Sequence, residues 1–540
     1  MKKFLILTLI LLLPLPCFAQ VNLNKTVIND FSGGMNSFSI ADILKDSEAA
    51  SLVNVVISRP GRISKRKGQG LFLKDVGSTP FVGIGRYDPD ANTSYLVVAS
   101  GNTVDVALSN STEWRPASTS SILTSGKNTE FVQANDLLFA LNGFDNTGWY
   151  TGSQWISGGD YPSSPPTATT GSWLRNYLFL AGGTTENDWV YISNNLNPRV
   201  FSASDIIKIN TGDGQKIKHL EAYRLNELII YKERSIFVLD ITGDPPSICS
   251  DNCWTVQPIS TVIGTPAPRS VVSLGNDQWF LSSEPFGIRS LVRSQFDKIL
   301  VDMVSQPIQD IFDGTGGVII NKAVIDKAAA VLFDNKFMIA LPTGSSTVNN
   351  TVLVYDFLVK GWYRIEGWFP TDWVIFDNRL FYIDANDARV IECFTGNVGD
   401  WAEGPNTITS ASSPTVPINF TYVSKSLDFG EPENYKQLDA ISVELDPTGN
   451  YHAVIDVNLD NTGWASAGSI NLAGSALTLP FTLPATLQNT GISRKTFQLQ
   501  SMGEFKKMQV RVTQHELTNE QVILQRVTVF SRVKPWRREN

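Results

Sequence analysis

Six times along the chain an asparagine stands in a turn and a run of aromatic or aliphatic residues follows within a few positions. The turns are at Asn135, Asn176, Asn226, Asn276, Asn335 and Asn378, spaced by 41, 50, 50, 59 and 43 residues. Asparagine tolerates the left-handed backbone of a tight hairpin, so the pattern reads as strand, turn, strand. Further strands follow most turns, such as 189–192 after Asn176 and 389–393 after Asn378. Four strands in about 40 to 60 residues make one blade of a β-propeller. Asn102 marks an earlier unit, which predicts an all-β chain built on a propeller of six or seven blades over 76–403. An array of ordinary hairpins in β-sandwiches is the competing reading, and a regular period of blade length favours the propeller.

Around Gly404 the sequence turns to Ser, Thr, Pro and Gly, which reads as a linker over 404–416. Short alternating strands follow, clearest in Val510–Thr513, and predict a separate C-terminal β-sandwich over 417–540. Before the propeller lies an arm, 20–75, with a short helix expected over about 41–53 and a basic turn. A second helix is expected over 301–312.

With 42% hydrophobic and 10% aromatic residues the chain can bury a large core, which excludes a disordered protein. Its formal net charge of -8 argues against a general nucleic-acid binder. Residues 1–19 pair Lys2 and Lys3 with an apolar run and end at Cys17-Phe18-Ala19, the pattern of a signal peptide cut after Ala19. The run is short of the roughly 20 residues that span a bilayer as a helix. Cleavage leaves 42 basic against 52 acidic residues, a net charge of -10. Cys17 lacks the small and aliphatic residues that precede a lipidated cysteine.

Motifs that carry chemistry are scarce. Cys249 and Cys253 are spaced to close a short disulfide loop in an oxidising compartment, or else remain reduced and inert, with Cys393 a free thiol. The histidines His219, His452 and His515 are scattered, so no zinc cluster is expected. No nucleophile elbow, phosphate loop or metalloprotease motif occurs. Asp88, Asp90 and Asn92 alternate like a calcium loop, but Thr93 replaces the needed glycine, and a polar turn is the reading preferred. The pentapeptide DNTGW occurs at 145–149 and 460–464 and reads as a turn before an aromatic strand. No pair of carboxylates stands out for glycoside hydrolysis.

The most distinctive segment is 31–68. FSGGMN at Phe31–Asn36 includes Gly33 and Gly34, and is followed by the acidic stretch 40–48, by Asn54-Val55, and by RPGRISKRKG at Arg59–Gly68. This resembles the opening of the tail nozzle proteins of short-tailed bacteriophages, also called tail tubular protein B, and related tail-hub stabilisation proteins. Looser agreement continues through Ile263-Gly264, Ser270–Asn276, Gly287-Ile288, Leu353–Asp356, Gly361-Trp362, Ser426–Gly430 and Lys436, over most of 27–530.

The resemblance implies a propeller with added β domains in a homo-oligomeric ring, a hexamer, below the portal and adaptor. Such a virion component extends the DNA-ejection channel and contacts tail fibre or spike proteins, with no catalysis and no cofactor. Phe31, Gly33, Gly34, Asn36, Asn54 and Gly68 then serve as family motif positions. Arg59, Arg62, Lys65, Arg66 and Lys67 put five cations in nine residues, either a solvated loop or an inter-subunit or channel contact. An acidic channel wall suits DNA that must slide. The signal-like segment departs from a virion assembled in the cytoplasm. Residues 1–19 are either retained, for contact with a host membrane, or removed from an exported periplasmic or secreted protein. Two further functions stay open: an exported propeller-plus-sandwich module binding glycan or envelope protein, and a propeller glycosidase.

Overall fold

The computed structural model describes residues 23–59, 61–74, 80–118, 120–293, 299–395, 399–400, 416–446, 451–471, 494–516 and 521–534. Segment 1–19 and the linker, apart from Val416, lie outside them. The described residues form seven four-stranded antiparallel blades. Blades 1 to 5 occupy 81–116, 130–156, 170–208, 217–260 and 272–303, and blade 6 occupies 329–366. Blade 7 takes three strands from 370–392 and its outermost strand, Gly70–Lys74, from the start of the chain. The innermost strands touch in a closed circle: Phe81–Tyr87 meets Glu130–Ala134 on one side and Pro370–Phe376 on the other. The circle continues through Thr170–Leu174, Ile217–Tyr223, the Pro268–Ser270 turn and Ala329–Phe333. The chain is therefore a seven-bladed propeller, and pairing strand 70–74 with strand 389–392 joins the two ends of the propeller within blade 7.

Asparagine makes the first hairpin turn in blades 2, 3, 6 and 7, where Asn135, Asn176, Asn335 and Asn378 have φ between 56° and 66°. In blades 4 and 5 the left-handed position is taken by Arg224 and Gly275, one or two residues before the asparagine. Asn102 belongs to the second hairpin of blade 1, beside Gly101. The first hairpin of that blade is the Asp88–Ser94 loop, where Asp90 accepts hydrogen bonds from the amides of Asn92 and Thr93. Asp145 opens blade 2's third strand by capping Thr124, and Asp460 makes a left-handed turn before strand Trp464–Asn471.

The C-terminal region is a β-sandwich that the N-terminal arm completes. One sheet runs Arg494–Gln498, Lys436–Leu445, Ile523–Val533, Arg62–Lys65, Val55–Arg59, with Leu23–Ile28 also on Ile523–Val533. The other runs Glu48–Val53, Phe420–Ser424, Met508–Gln514, His452–Leu459, Trp464–Asn471, and joins blade 6 where Val53 pairs with Arg364. Arm 20–75 is thus no separate unit, since its strands are shared between the sandwich and blade 7. No helix forms over 41–53. Glu48–Val53 is a strand because Leu52 and Val53 are buried between Phe420–Ser424 and blade 6. The second expected helix is also mostly absent: Ile299–Met303 is a strand, and only Gln309–Asp313 is α-helical, after the turn holding Pro307.

One hydrophobic core runs from blades 5 and 6 into the sandwich, linking Leu281, Val352, Val354, Leu52, Ile441 and Val527. Each such fully buried side chain contributes about 1.5–3 kcal/mol. Propeller and sandwich are therefore packed as one body on this side.

Candidate functional site: the propeller–sandwich joint and the propeller axis

Two places concentrate polar side chains, and the first is the joint made by the segment 31–68. Phe31 is buried edge-on against Tyr422, with ring centroids 5.1 Å apart. Gly34, at φ 71°, passes so close to blade 6 that a Cβ there would stand 2.6 Å from Gly361 Cα. Gly33 is nearly as tight, with its Cβ position 2.8 Å from Ser47 Oγ. The Asn36 amide donates to Ala49 O at 2.9 Å, and its side chain accepts from the Ser39 amide. Two stretches of the resemblance that are far apart in sequence, Gly33-Gly34 and Gly361-Trp362, are thus in backbone contact.

Asn54, at φ 55°, is the hub. Its amide donates to Arg364 O at 2.7 Å, and its side-chain Nδ2 donates to Asn419 O at 3.0 Å. Its Oδ1 accepts from the Glu366 amide at 3.0 Å and from Arg66 Nε at 2.9 Å. Arg66 is fully buried and grips Asp400 with both terminal nitrogens, at 2.8 and 2.6 Å. It also donates to the carbonyls of Lys67 and Glu366 and stacks over Trp368 at 4.9 Å. A buried guanidinium is tolerated here because each of its three nitrogens has a partner.

The five cations do not form one basic face. Lys65 is buried, with Nζ donating to Gln514 at 3.0 Å, and burial beside Arg66 lowers its pKa to about 8. Lys67 is exposed and Arg62 half-exposed; the side chain of Arg59 lies outside the described residues. Gly68 is buried and its carbonyl accepts from the Thr395 amide. Lys65 ties the two sheets of the sandwich together and Arg66 ties the arm to Glu366 at the end of blade 6 and to Asp400, so neither is presented to solvent for a channel or a neighbouring subunit. Beside them lies a mainly apolar cleft of about 450 Å³, walled by Val56, Phe333, Phe394 and Ile523.

The second place is the propeller axis, where the first strands of different blades turn polar residues inward. Glu130 (blade 2), Thr170 (blade 3), His219 and Glu221 (blade 4) and Ser273 (blade 5) form one chain of hydrogen bonds. The Thr170 hydroxyl donates its single proton to Glu130 Oε1 at 3.1 Å, so the 3.3 Å contact with His219 Nδ1 needs an N–H there. His219 Nε2 faces Glu221 Oε2 at 3.2 Å, and Ser273 donates to the other Glu221 oxygen at 2.7 Å. With an N–H on both ring nitrogens, the ring would be an imidazolium held between two carboxyl groups. Burial pulls the imidazolium down, but the Glu221 hydrogen bond and the Glu130 and Glu221 charges outweigh it, leaving its pKa raised. Burial also raises Glu130, against the opposing charge of His219.

From the turn before blade 5, Arg269 reaches across the axis to the carbonyls of Val82 in blade 1 and Thr371 in blade 7, and pairs with Asp372 at 3.5 Å. These side chains thus span the axis between blades 1, 5 and 7.

The axial network has a pH signature. His219 and Glu130 both titrate above their ordinary values of 6.5 and 4.5, so each adds stability below those values and loses it as pH rises through its folded-state pKa. The stability difference between wild type and His219→Gln should be largest below the ordinary histidine value of 6.5 and shrink as pH rises above it. Denaturant melts on either side of that value measure it, and a difference flat with pH would rule out the imidazolium.

Disulfide Cys249–Cys253 closes the loop before the outermost strand of blade 4, while Cys393 is free and buried. Sequence reading does not single out Asp400, Glu130, Glu221, Arg269 or Asp372. The axial residues do carry a signal: they lie on or beside the strands that precede the repeated turns, at positions where a barrel-like wall should be apolar. No such signal marks Asp400.

No protein-family model matches the chain, and no curated protein matches it. Among solved structures it is similar to BamB from Moraxella catarrhalis, at 10% identity and TM-score 0.38, over 63% of this chain and 91% of that one. It is similar to YCF48 bound to D1 peptide, at 10% identity and TM-score 0.37, over 61% and 98%. The extracellular domain of the hybrid two-component system BT4673 from B. thetaiotaomicron matches at 8% identity and TM-score 0.41, over 61% and 40%. At this distance the three lend no argument on partners or activity, and the propeller rests on its own strand pairing. By that pairing the protein is a seven-bladed β-propeller whose N-terminal arm weaves a C-terminal sandwich onto blades 6 and 7.

Proposed function

We propose that this chain is a non-catalytic virion component, a tail nozzle or hub protein whose copies form a ring extending the DNA-ejection channel below portal and adaptor. The observation that carries the reading is the joint. The residues of the resemblance, Phe31, Gly33, Gly34, Asn54, Arg66 and Gly361, converge on one buried region where arm, propeller and sandwich pack together. Rigid subunits joined by one repeated heterologous interface suit a closed ring. With Arg269 spanning the propeller's own axis, DNA would run along the axis of the ring, past the outer surface of each subunit. A net charge of -8 suits a wall along which DNA slides. Tail fibre or spike proteins would dock on the outside of this ring.

A second reading, an exported propeller-plus-sandwich binding module, is favoured by the Cys249–Cys253 disulfide, because such bridges persist in oxidising compartments. The two readings part in one experiment: peptide mass spectrometry across a density gradient of the source culture, with negative-stain microscopy of the purified chain. The nozzle reading expects the protein in dense, DNA-containing particles, beginning at Met1, and rings in the micrographs. Recovery only in soluble or envelope fractions as a monomer beginning at Gln20 would overturn it in favour of the exported module.

A further inference from the structure

We propose that the mouth of the propeller axis is a binding site for an acidic sugar unit, a pyranose bearing a carboxylate or a phosphate. The mouth is a cavity of about 320 Å³ lined by Glu130 and Arg269 at its base, at the small end of ligand sites, which span about 300–1,000 Å³. It lies on the face built from the loops that enter each blade and the hairpins between second and third strands, so several blades contribute one or two groups each.

Its wall is shaped by two glycines. Gly143 and Gly182 have φ of 71° and 78°, and a Cβ on either would overlap the Thr169 side chain. Thr169 itself donates to the Gly182 carbonyl at 3.2 Å, locking the wall in place. Glycine at both positions therefore leaves room for Thr169 to pack into the wall of the cavity.

The rim carries polar groups that have no partner among the described residues and, Lys218 apart, are exposed to solvent. Among the described residues, the side chains of Lys216, Lys218, Asn128, Thr184 and Asp326 make no hydrogen bond or ion pair, although all five line the same opening. Arg269, by contrast, is committed to Asp372 and to two carbonyls. Two unpaired lysines on one wall call for an anionic group on the ligand. The carboxamide of Asn128, the hydroxyl of Thr184 and the carboxylate of Asp326 supply donors and acceptors that match adjacent hydroxyls. Asp326 would repel a polyanion, and no aromatic ring lines the cavity to stack a base, so a nucleic acid is disfavoured. A polyol with a single acidic group satisfies both halves of the rim.

The test is isothermal titration of the full chain with D-glucuronate, D-glucose 6-phosphate and D-glucose, repeated on Lys216→Ala/Lys218→Ala. The expected result is that at least one acid binds ten or more times more tightly than glucose, and that the double variant loses that preference while its melting temperature is unchanged. Binding of glucuronate alone identifies the carboxylate, and of glucose 6-phosphate alone the phosphate. The proposal is overturned if neither acid binds, if glucose binds as well as the acids, or if the variant binds the acids as wild type does. The outcome is independent of whether the chain forms rings.

Discussion

Arg66→Ala is expected to destabilise the folded chain by about 3–5 kcal/mol, the cost of leaving a buried charge without its partner. Asp400 keeps only 5% of its surface exposed and has both carboxylate oxygens on Arg66, with the Gln69 amide a further donor at 3.3 Å. Removing the guanidinium also takes a donor from Asn54 Oδ1 and from the carbonyls of Lys67 and Glu366. Arg66→Lys keeps the charge but not the planar fork, and should recover less than half of the loss. Arg66→Met/Asp400→Leu should recover most of it, because the pair is then removed whole. Guanidinium melts followed by tryptophan fluorescence suit the measurement, since Trp368 lies against the guanidinium. A loss below about 1 kcal/mol for Arg66→Ala would mean that the joint does not depend on the pair.

Gly34→Ala is expected to cost about 3 kcal/mol or more, through backbone overlap added to left-handed strain. The new Cβ would meet Gly361 Cα at 2.6 Å and Trp362 N at 2.7 Å, and neither is a flexible chain end that can swing away. Gly101→Ala is the control. Its φ is 57°, but a Cβ there has nothing within 4 Å, so only the conformational cost of about 1–2 kcal/mol applies. Equal losses at the two positions would show that the arm can move away from blade 6, and would remove the rigidity on which the ring proposal draws. Melting both variants beside wild type gives the comparison directly.

Much of the propeller is legible in the sequence because one local rule recurs. Asparagine can occupy the left-handed corner of a hairpin, so Asn135, Asn176, Asn335 and Asn378 mark their own turns. The blade number is harder to read, because blade 1 turns on an Asp-capped loop and blade 7 borrows strand Gly70–Lys74 from the opposite end of the propeller. The segment 41–53 misleads for a related reason. Its alanines and leucines suit a helix locally, and its ladder partners lie at 421–424, beyond any local window.

The basic run shows the limit most plainly. Five cations in nine residues look like a surface feature, and the glycines and asparagine around them look like turn residues. Whether a lysine or arginine is a solvated charge or a buried clamp depends on a partner distant in sequence, and Asp400 and Gln514 supply those partners only in the folded chain. The axial network is likewise assembled from positions 130, 170, 219, 221 and 273, one or two from each of blades 2 to 5.

The all-β class, the repeated blade unit and the C-terminal sandwich are written in local patterns, because hydrophobic alternation and turn chemistry act over a few residues. Closure of the circle of blades, the arm's place in the sandwich, and which charges are buried and which face the axial mouth are settled in three dimensions alone. They follow from pairing and packing between residues up to hundreds of positions apart, where the free energy of a contact depends on what the fold brings beside it.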